Sequence, residues 1–266
     1  MNGPEGSAAS AMIRARALGL RPRVIAIDGP AGSGKSTVGL AVAQVLDFLF
    51  FDTGAMYRAV TWAALQRGVE VADEKRVSEI AEVMEIDILP ARGTNVDGRS
   101  NLVLADGVDV TDAIRRPEVD QQVSAVSAYG RVREALSRQQ RRVGERYGTG
   151  RAEKPGIVMV GRDIGTVIMP HAALKVYLDA GVEERARRRR RQLLALGKAV
   201  DLAQVLADIL RRDKLDSGRA LSPLRVAEDA VVLDTSHMDA AAAVAQVLAL
   251  VEQMAGTATG DGDGQR

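Results

Sequence analysis

The 266-residue sequence predicts an α/β fold, a doubly wound sheet of about five parallel strands with helices on both faces. Three observations carry that expectation. Short apolar runs alternate with longer helical patterns, each run ending near Asp or Gly. The first run leads into Gly29–Ser36, GPAGSGKS, which matches G-x-x-x-x-G-K-[ST] in full. At 46% hydrophobic and 27% charged the composition is globular, which excludes collagen-like and wholly disordered chains.

In chain order, residues 1–21 lack a continuous apolar core behind a basic start, so a disordered extension is expected rather than a secretory signal. Val24–Ile27 reads as a buried strand, followed by a Gly-rich turn and a helix from about Lys35 to Leu46. Phe48–Phe51, Ile157–Val160, Leu174–Leu178 and Ala230–Leu233 read as further buried strands. The stretch from about Asp87 to Ile114 breaks the alternation. Asp97-Gly98 and Asp106-Gly107 fall there between short extended runs, a hairpin signal. An antiparallel insert of this kind suits substrate holding. Two polar, Arg-laden helices flank Gly197 between 182 and 219, the pattern of a mobile cover. These readings divide the chain into an extension (1–21), one domain (22–254) and a disordered Gly/Asp-rich tail (255–266). Within the domain the core is 22–80, 124–181 and 220–254, the insert about 81–123 and the helical lid about 182–219. No stretch approaches the ~20 apolar residues of a membrane span.

The charge balance narrows the function. With 36 Lys+Arg against 35 Asp+Glu the formal net charge is +1, which excludes a globally basic, DNA-coating protein. Zero Cys and two His remove thiolate metal sites, thiol catalysis and a His-built metal centre. Only six of the cations are Lys. Codon bias explains such an excess of Arg; so does a need for guanidinium forks on phosphates.

Gly29, Pro30, Ala31, Gly32, Ser33, Gly34, Lys35, Ser36 and Thr37 form the expected donor-nucleotide cradle. Inward-turned backbone N–H groups and the helix N-terminus suit phosphate oxygens, Lys35 suits the β- and γ-phosphates, and the Ser36 hydroxyl suits Mg²⁺. Asp28 before the loop reads first as structural, an acceptor for the loop amides, and second as a residue that assists Mg²⁺ through water. No Asn-Lys-x-Asp segment reads guanine, and no strand ends in Asp-Glu or Asp-Asp to polarise water. Transfer to a second phosphate fits better. An acceptor monoester with a second pKa near ~6 is already ionised and needs cations and exclusion of water, not a base.

Taken together, DGPAGSGKST, FDTGAMYRAV, VGRDIGTV and RRDKLDSGRALSPL resemble the bacterial cytidylate kinases over about Arg23 to Val251. The stretch at 81–123 is similar to the insert typical of that family. The resemblance implies an ATP- and Mg²⁺-dependent kinase acting on CMP or dCMP, cytoplasmic and monomeric, without nucleic-acid or membrane partners. It assigns Arg58, Arg162 and Arg219 to the acceptor phosphate and Arg212 and Asp216 to the pentose. Thr53, Ser124, Arg133 and Asp163 match its cytosine-facing set, and Lys35, Arg162, Arg185 and Arg188 its catalytic cations. Base chemistry agrees for one pair. A carboxylate at 163 accepts from cytosine N4–H and repels uracil O4, while Arg133 suits O2 and N3. Plainer readings stand beside these: Asp163 as an ion pair with Arg162, Arg58 and Arg133 as solvated charges, and most of the 187–191 Arg run as surface. Val160 stands where many relatives carry an acid, Thr53 where a Ser is common, and Gly218 where some have a larger polar residue. The rivals are a kinase for UMP or another monophosphate, and a non-catalytic protein that binds RNA through its Arg-rich lid.

Overall fold

The structure, a computed structural model, describes residues 4–91, 101–195, 197–219 and 221–257. Helix α1 (Pro4–Ala17) precedes β1 (Val24–Asp28), α2 (Lys35–Leu46), β2 (Leu49–Asp52), α3 (Gly54–Gln66) and α4 (Glu74–Val83). The insert follows with β3 (Ile86–Pro90), β4 (Asn101–Ala105), β5 (Val108–Asp109), a 3₁₀ turn (Ala113–Arg115) and α5 (Pro117–Val126). Then come α6 (Gly130–Gly148), β6 (Ile157–Val160), a π-helical turn (Ile164–Ile168) and β7 (Leu174–Asp179). Helices α7 (Val182–Ala195) and α8 (Leu202–Ser217), which make up the expected lid, then β8 (Val231–Asp234) and α9 (Ala240–Thr257) complete the described residues.

Five parallel strands lie in the order β2-β6-β1-β7-β8, with Ile25 opposite Val158 and Leu174. Every residue of β1 and β6 is buried, because helices cover both faces of the central strands. One apolar cluster packs α3, α4, α6 and the insert on one side of the sheet; a second packs α1, α2 and α9 on the other. β8 differs from its expected burial. It is the sheet edge, and Val231 and Val232 are exposed.

The insert is a three-stranded antiparallel sheet, β3-β4-β5. Asp106 and Gly107, at φ 48° and 80°, make the tight turn expected from that dipeptide; Asp97-Gly98 lies outside the described residues. Arginines of α6 fasten the insert to the core. Arg142 donates to the Ile86 carbonyl and Arg146 to that of Ile88, and Arg146 pairs with Asp87 at 2.9 Å. That accounts for a long helix with such polar composition.

Residues 1–21, expected to be disordered, instead carry α1. Ala17 and Leu20 are fully buried and Ile13 is packed against the cluster of α2 and α9. A short Ala-rich segment gains order here because another element supplies the apolar surface it covers. The tail boundary also moves, since α9 continues to Thr257 and Ala255 is buried. No helix among the described residues is long and apolar enough to cross a membrane.

Candidate active site

The chemistry-bearing side chains gather at the carboxyl ends of the parallel strands, where a doubly wound sheet opens its ligand crevice. β1 runs into the Gly-rich loop, β2 into Asp52 and Thr53, β6 into Gly161–Asp163, β7 into the lid and β8 into Thr235.

Lys35 is buried in the loop and donates to the Pro30 carbonyl at 2.6 Å. Burial, and then the nearby Arg162 charge, lowers its pKa well below the usual lysine range. Asp28, beneath the loop, accepts from the backbone N–H groups of Ile164 and Gly165 at 2.9 and 2.7 Å. It is structural, as expected, but the amides it holds belong to the π turn rather than the loop. Burial raises its pKa to about 6 against the lowering effect of those two bonds. At the loop mouth Ser36 Oγ donates to Asp52 Oδ2 at 2.8 Å, and Asp52 Oδ1 accepts from Gly54 N at 3.0 Å. A hydroxyl beside a carboxylate is the hard-oxygen donor set that suits Mg²⁺, which takes one or two side chains plus phosphate oxygens. No group of three or more His, Asp or Glu side chains gathers as a metal cage among the described residues.

Four arginines and two carboxylates make the second half of the site. Asp216 of α8 is buried and accepts from Arg162 Nε at 2.8 Å and from Arg219, with Arg212 Nε at 3.9 Å. Burial opposes its ionisation, but Arg162 and Arg219 outweigh that and hold its carboxyl below the usual range. Arg58 of α3 pairs with Asp120 of α5 at 2.7 Å. Four guanidiniums against two carboxylates leave two positive charges, which matches a phosphate monoester dianion.

Arg133 and Asp163 form a separate buried pair at 2.7 Å, both side chains under a tenth exposed. Arg133 also lies over the Tyr57 ring, 5.6 Å from its centroid, and donates to the Ser127 carbonyl at 3.3 Å. Arg133 is therefore no solvated charge, and Asp163 pairs with Arg133 rather than with its neighbour Arg162. Thr53 is buried, its hydroxyl donating to the Val160 carbonyl at 3.0 Å. Ser124 is exposed on α5, one turn before Ser127. Of the cytosine-facing set it is the member that these bonds do not tie in.

The lid reaches the loop through α7. Arg185 is buried, donates to the Ala180 and Ala31 carbonyls at 2.9 and 3.1 Å and pairs with Asp213 at 2.7 Å. Arg188 donates to the Thr235 hydroxyl at 3.1 Å, to the Thr235 carbonyl, and to that of Met238 at 3.3 Å. Its Nη1 stands 3.9 Å from where a Cβ on Gly34 would lie, so it borders the loop while holding the β8–α9 connection. Glu184 collects Arg187, Arg188 and Arg191, so three of the five consecutive arginines share one carboxylate. Asp52, Asp120, Asp213 and Thr235 were not singled out from sequence. Asp52 lies in FDTGAMYRAV and Asp213 in RRDKLDSGRALSPL, which is a usable signal; Asp120 and Thr235 owe their position to tertiary folding.

The model of the family described as cytidylate kinase matches residues 25–253. The chain belongs to the cytidylate kinase family. It is 46% identical over 231 residues to a cytidylate kinase of Desulforamulus reducens, covering 87% of this chain and 97% of that one. Against the Bacillus subtilis cytidylate kinase the identity is 44% over 229 residues, covering 86% and 96%. A bifunctional pantoate ligase/cytidylate kinase of Synechococcus sp. (strain JA-3-3Ab) is 46% identical over 236 residues. The match covers 89% of this chain but only 42% of that longer relative.

Proposed function

We propose that the chain transfers the γ-phosphoryl group of ATP to CMP or dCMP, releasing CDP or dCDP and ADP. The observation that carries this is the buried Arg133–Asp163 pair, at the same carboxyl end of the sheet as a cluster of four arginines and the Gly-rich loop. In this reading Gly29–Thr37 hold the donor, the loop amides and Lys35 gripping its phosphates. Ser36, backed by Asp52, would hold Mg²⁺, which when bound neutralises charge on the donor phosphates. Arg58, Arg162 and Arg219 hold the acceptor phosphate as bidentate forks. Asp216 fixes the orientation of Arg162 and Arg219 and, with Arg212, faces the pentose. Asp163 gives one oxygen to Arg133, and its other accepts from cytosine N4–H; Arg133 donates to O2 or N3, with Thr53 and Ser124 at the rim.

The acceptor is ionised at neutral pH, so an acceptor oxygen attacks the γ-phosphorus as the β–γ bridging bond breaks, with no general base. Arg185 and Arg188 bring the lid onto the loop, which excludes the water that would otherwise take the phosphoryl group. A cytoplasmic monomer is the matching setting for an enzyme of nucleotide metabolism.

Steady-state ADP release measured with CMP, dCMP, UMP and AMP tests the reading. CMP and dCMP are expected to exceed UMP and AMP in kcat/KM by about 100-fold or more, since the wrong base leaves buried polar groups unpaired. Equal or better turnover of UMP or AMP would remove the cytosine assignment.

A further inference from the structure

We infer that Asp120 is a positioning residue of the acceptor site: it holds the Arg58 guanidinium and is where the lid, through Arg189, meets that arginine. The inference rests on the reading of Arg58 as an acceptor-phosphate ligand. Arg58 extends from α3 and is held at two points by the insert. Its Nη2 donates to Asp120 Oδ1 at 2.7 Å and its Nη1 to the Ile114 carbonyl at 3.4 Å. A free arginine side chain samples many rotamers, and holding it from two sides leaves one fork geometry for an incoming phosphate.

The second oxygen of the same carboxylate faces a different element. Asp120 Oδ2 lies 3.9 Å from Arg189 Nη2 on α7. Asp120 is thus shared between an acceptor arginine and a lid arginine. Burial alone would raise its pKa; the Arg58 hydrogen bond and charge, then Arg189 and Lys198, hold it below the usual range. The carboxylate also removes an obstacle to closure. Without it two guanidiniums would approach with no counter-charge between them. The position in the first turn of α5 favours an acid on its own account. That effect is satisfied by Glu118 as well, and it does not explain two cations from two other elements converging on Asp120.

The experiment is steady-state kinetics on the full chain and on Asp120→Asn, Asp120→Glu, Arg189→Gln and the Asp120→Asn/Arg189→Gln double variant, with thermal melts of each. Asp120→Asn is expected to raise KM for CMP about 3–10-fold, with KM for ATP and kcat within about two-fold and an unchanged melting temperature. Asp120→Glu should recover part of that loss. Arg189→Gln should raise KM for CMP in the parent and add little in the Asn background, because both act through one carboxylate. An Asp120→Asn KM for CMP within two-fold of the parent overturns the inference. Independent, multiplying effects of the two substitutions overturn the lid contact. A parent that is inactive on CMP overturns the functional reading and this inference with it, whereas an active parent with an unaffected Asn variant overturns this inference alone.

Discussion

Asp28 and Asp163 are both buried carboxylates of the site, yet their surroundings set them to different uses. Asp28 faces two backbone amides, and its pKa is raised to about 6 by burial. Its folded-state value lies above the unfolded one, so its contribution to stability is full in acid and declines as pH rises through about 6. Asp28→Asn removes the titration. The stability advantage of the parent over that variant should therefore shrink by roughly 1 kcal/mol between about pH 5 and pH 7.5. Urea unfolding at the two pH values measures it, and an advantage that grows with pH would contradict the assignment. Asp163 instead faces Arg133. Asp163→Ala would strand a buried guanidinium, so the informative change is Asp163→Asn, which keeps the shape and loses the charge. The CMP/UMP ratio of kcat/KM should fall at least about 10-fold. An unchanged ratio would leave the pair purely structural. The motifs announced which arginines and acids gather, but not how they pair. Arg162 with Asp216 and Asp163 with Arg133 are choices made by lid and helix packing at separations of tens of residues.

At the scale of elements, the central strands were legible because a strand buried on both faces is a continuous apolar run, and β1, β6 and β7 start where the pattern places them. The loop–helix junction was legible for a different reason: phosphate chemistry constrains its residues one by one. What the pattern could not show was closeness of approach. A Cβ on Gly39 of α2 would stand 2.6 Å from Val160 Cγ1 and 3.3 Å from the Phe50 ring. Val160 is thus a packing partner of α2, the helix that follows the Gly-rich loop. Gly39→Ala is expected to cost about 1–3 kcal/mol in urea unfolding, despite alanine's better helix propensity. A stabilised variant would show that α2 and β6 are less tightly packed than they stand here.

For the whole molecule, the sheet carries two cores, and α1 belongs to one of them. That helix was hard to foresee, being rich in Ala with only Met12 and Ile13 as larger apolar residues. Ala17 and Ile13 find their partners only once α9 is in place. Deleting residues 1–18 should lower the melting temperature by about 3–8 °C while leaving kcat for CMP unchanged, since α1 packs on the face opposite the insert. A loss of turnover without a loss of stability would tie α1 to the reaction instead. The central claim is that this arrangement moves a phosphoryl group between two nucleotides and keeps water out. A single-turnover reaction with γ-labelled ATP, excess enzyme, and CMP or UMP as acceptor tests it most directly. Label is expected in CDP, with little in inorganic phosphate and far slower labelling of UDP. Label released mainly as inorganic phosphate, or passed to UMP as fast as to CMP, would contradict it.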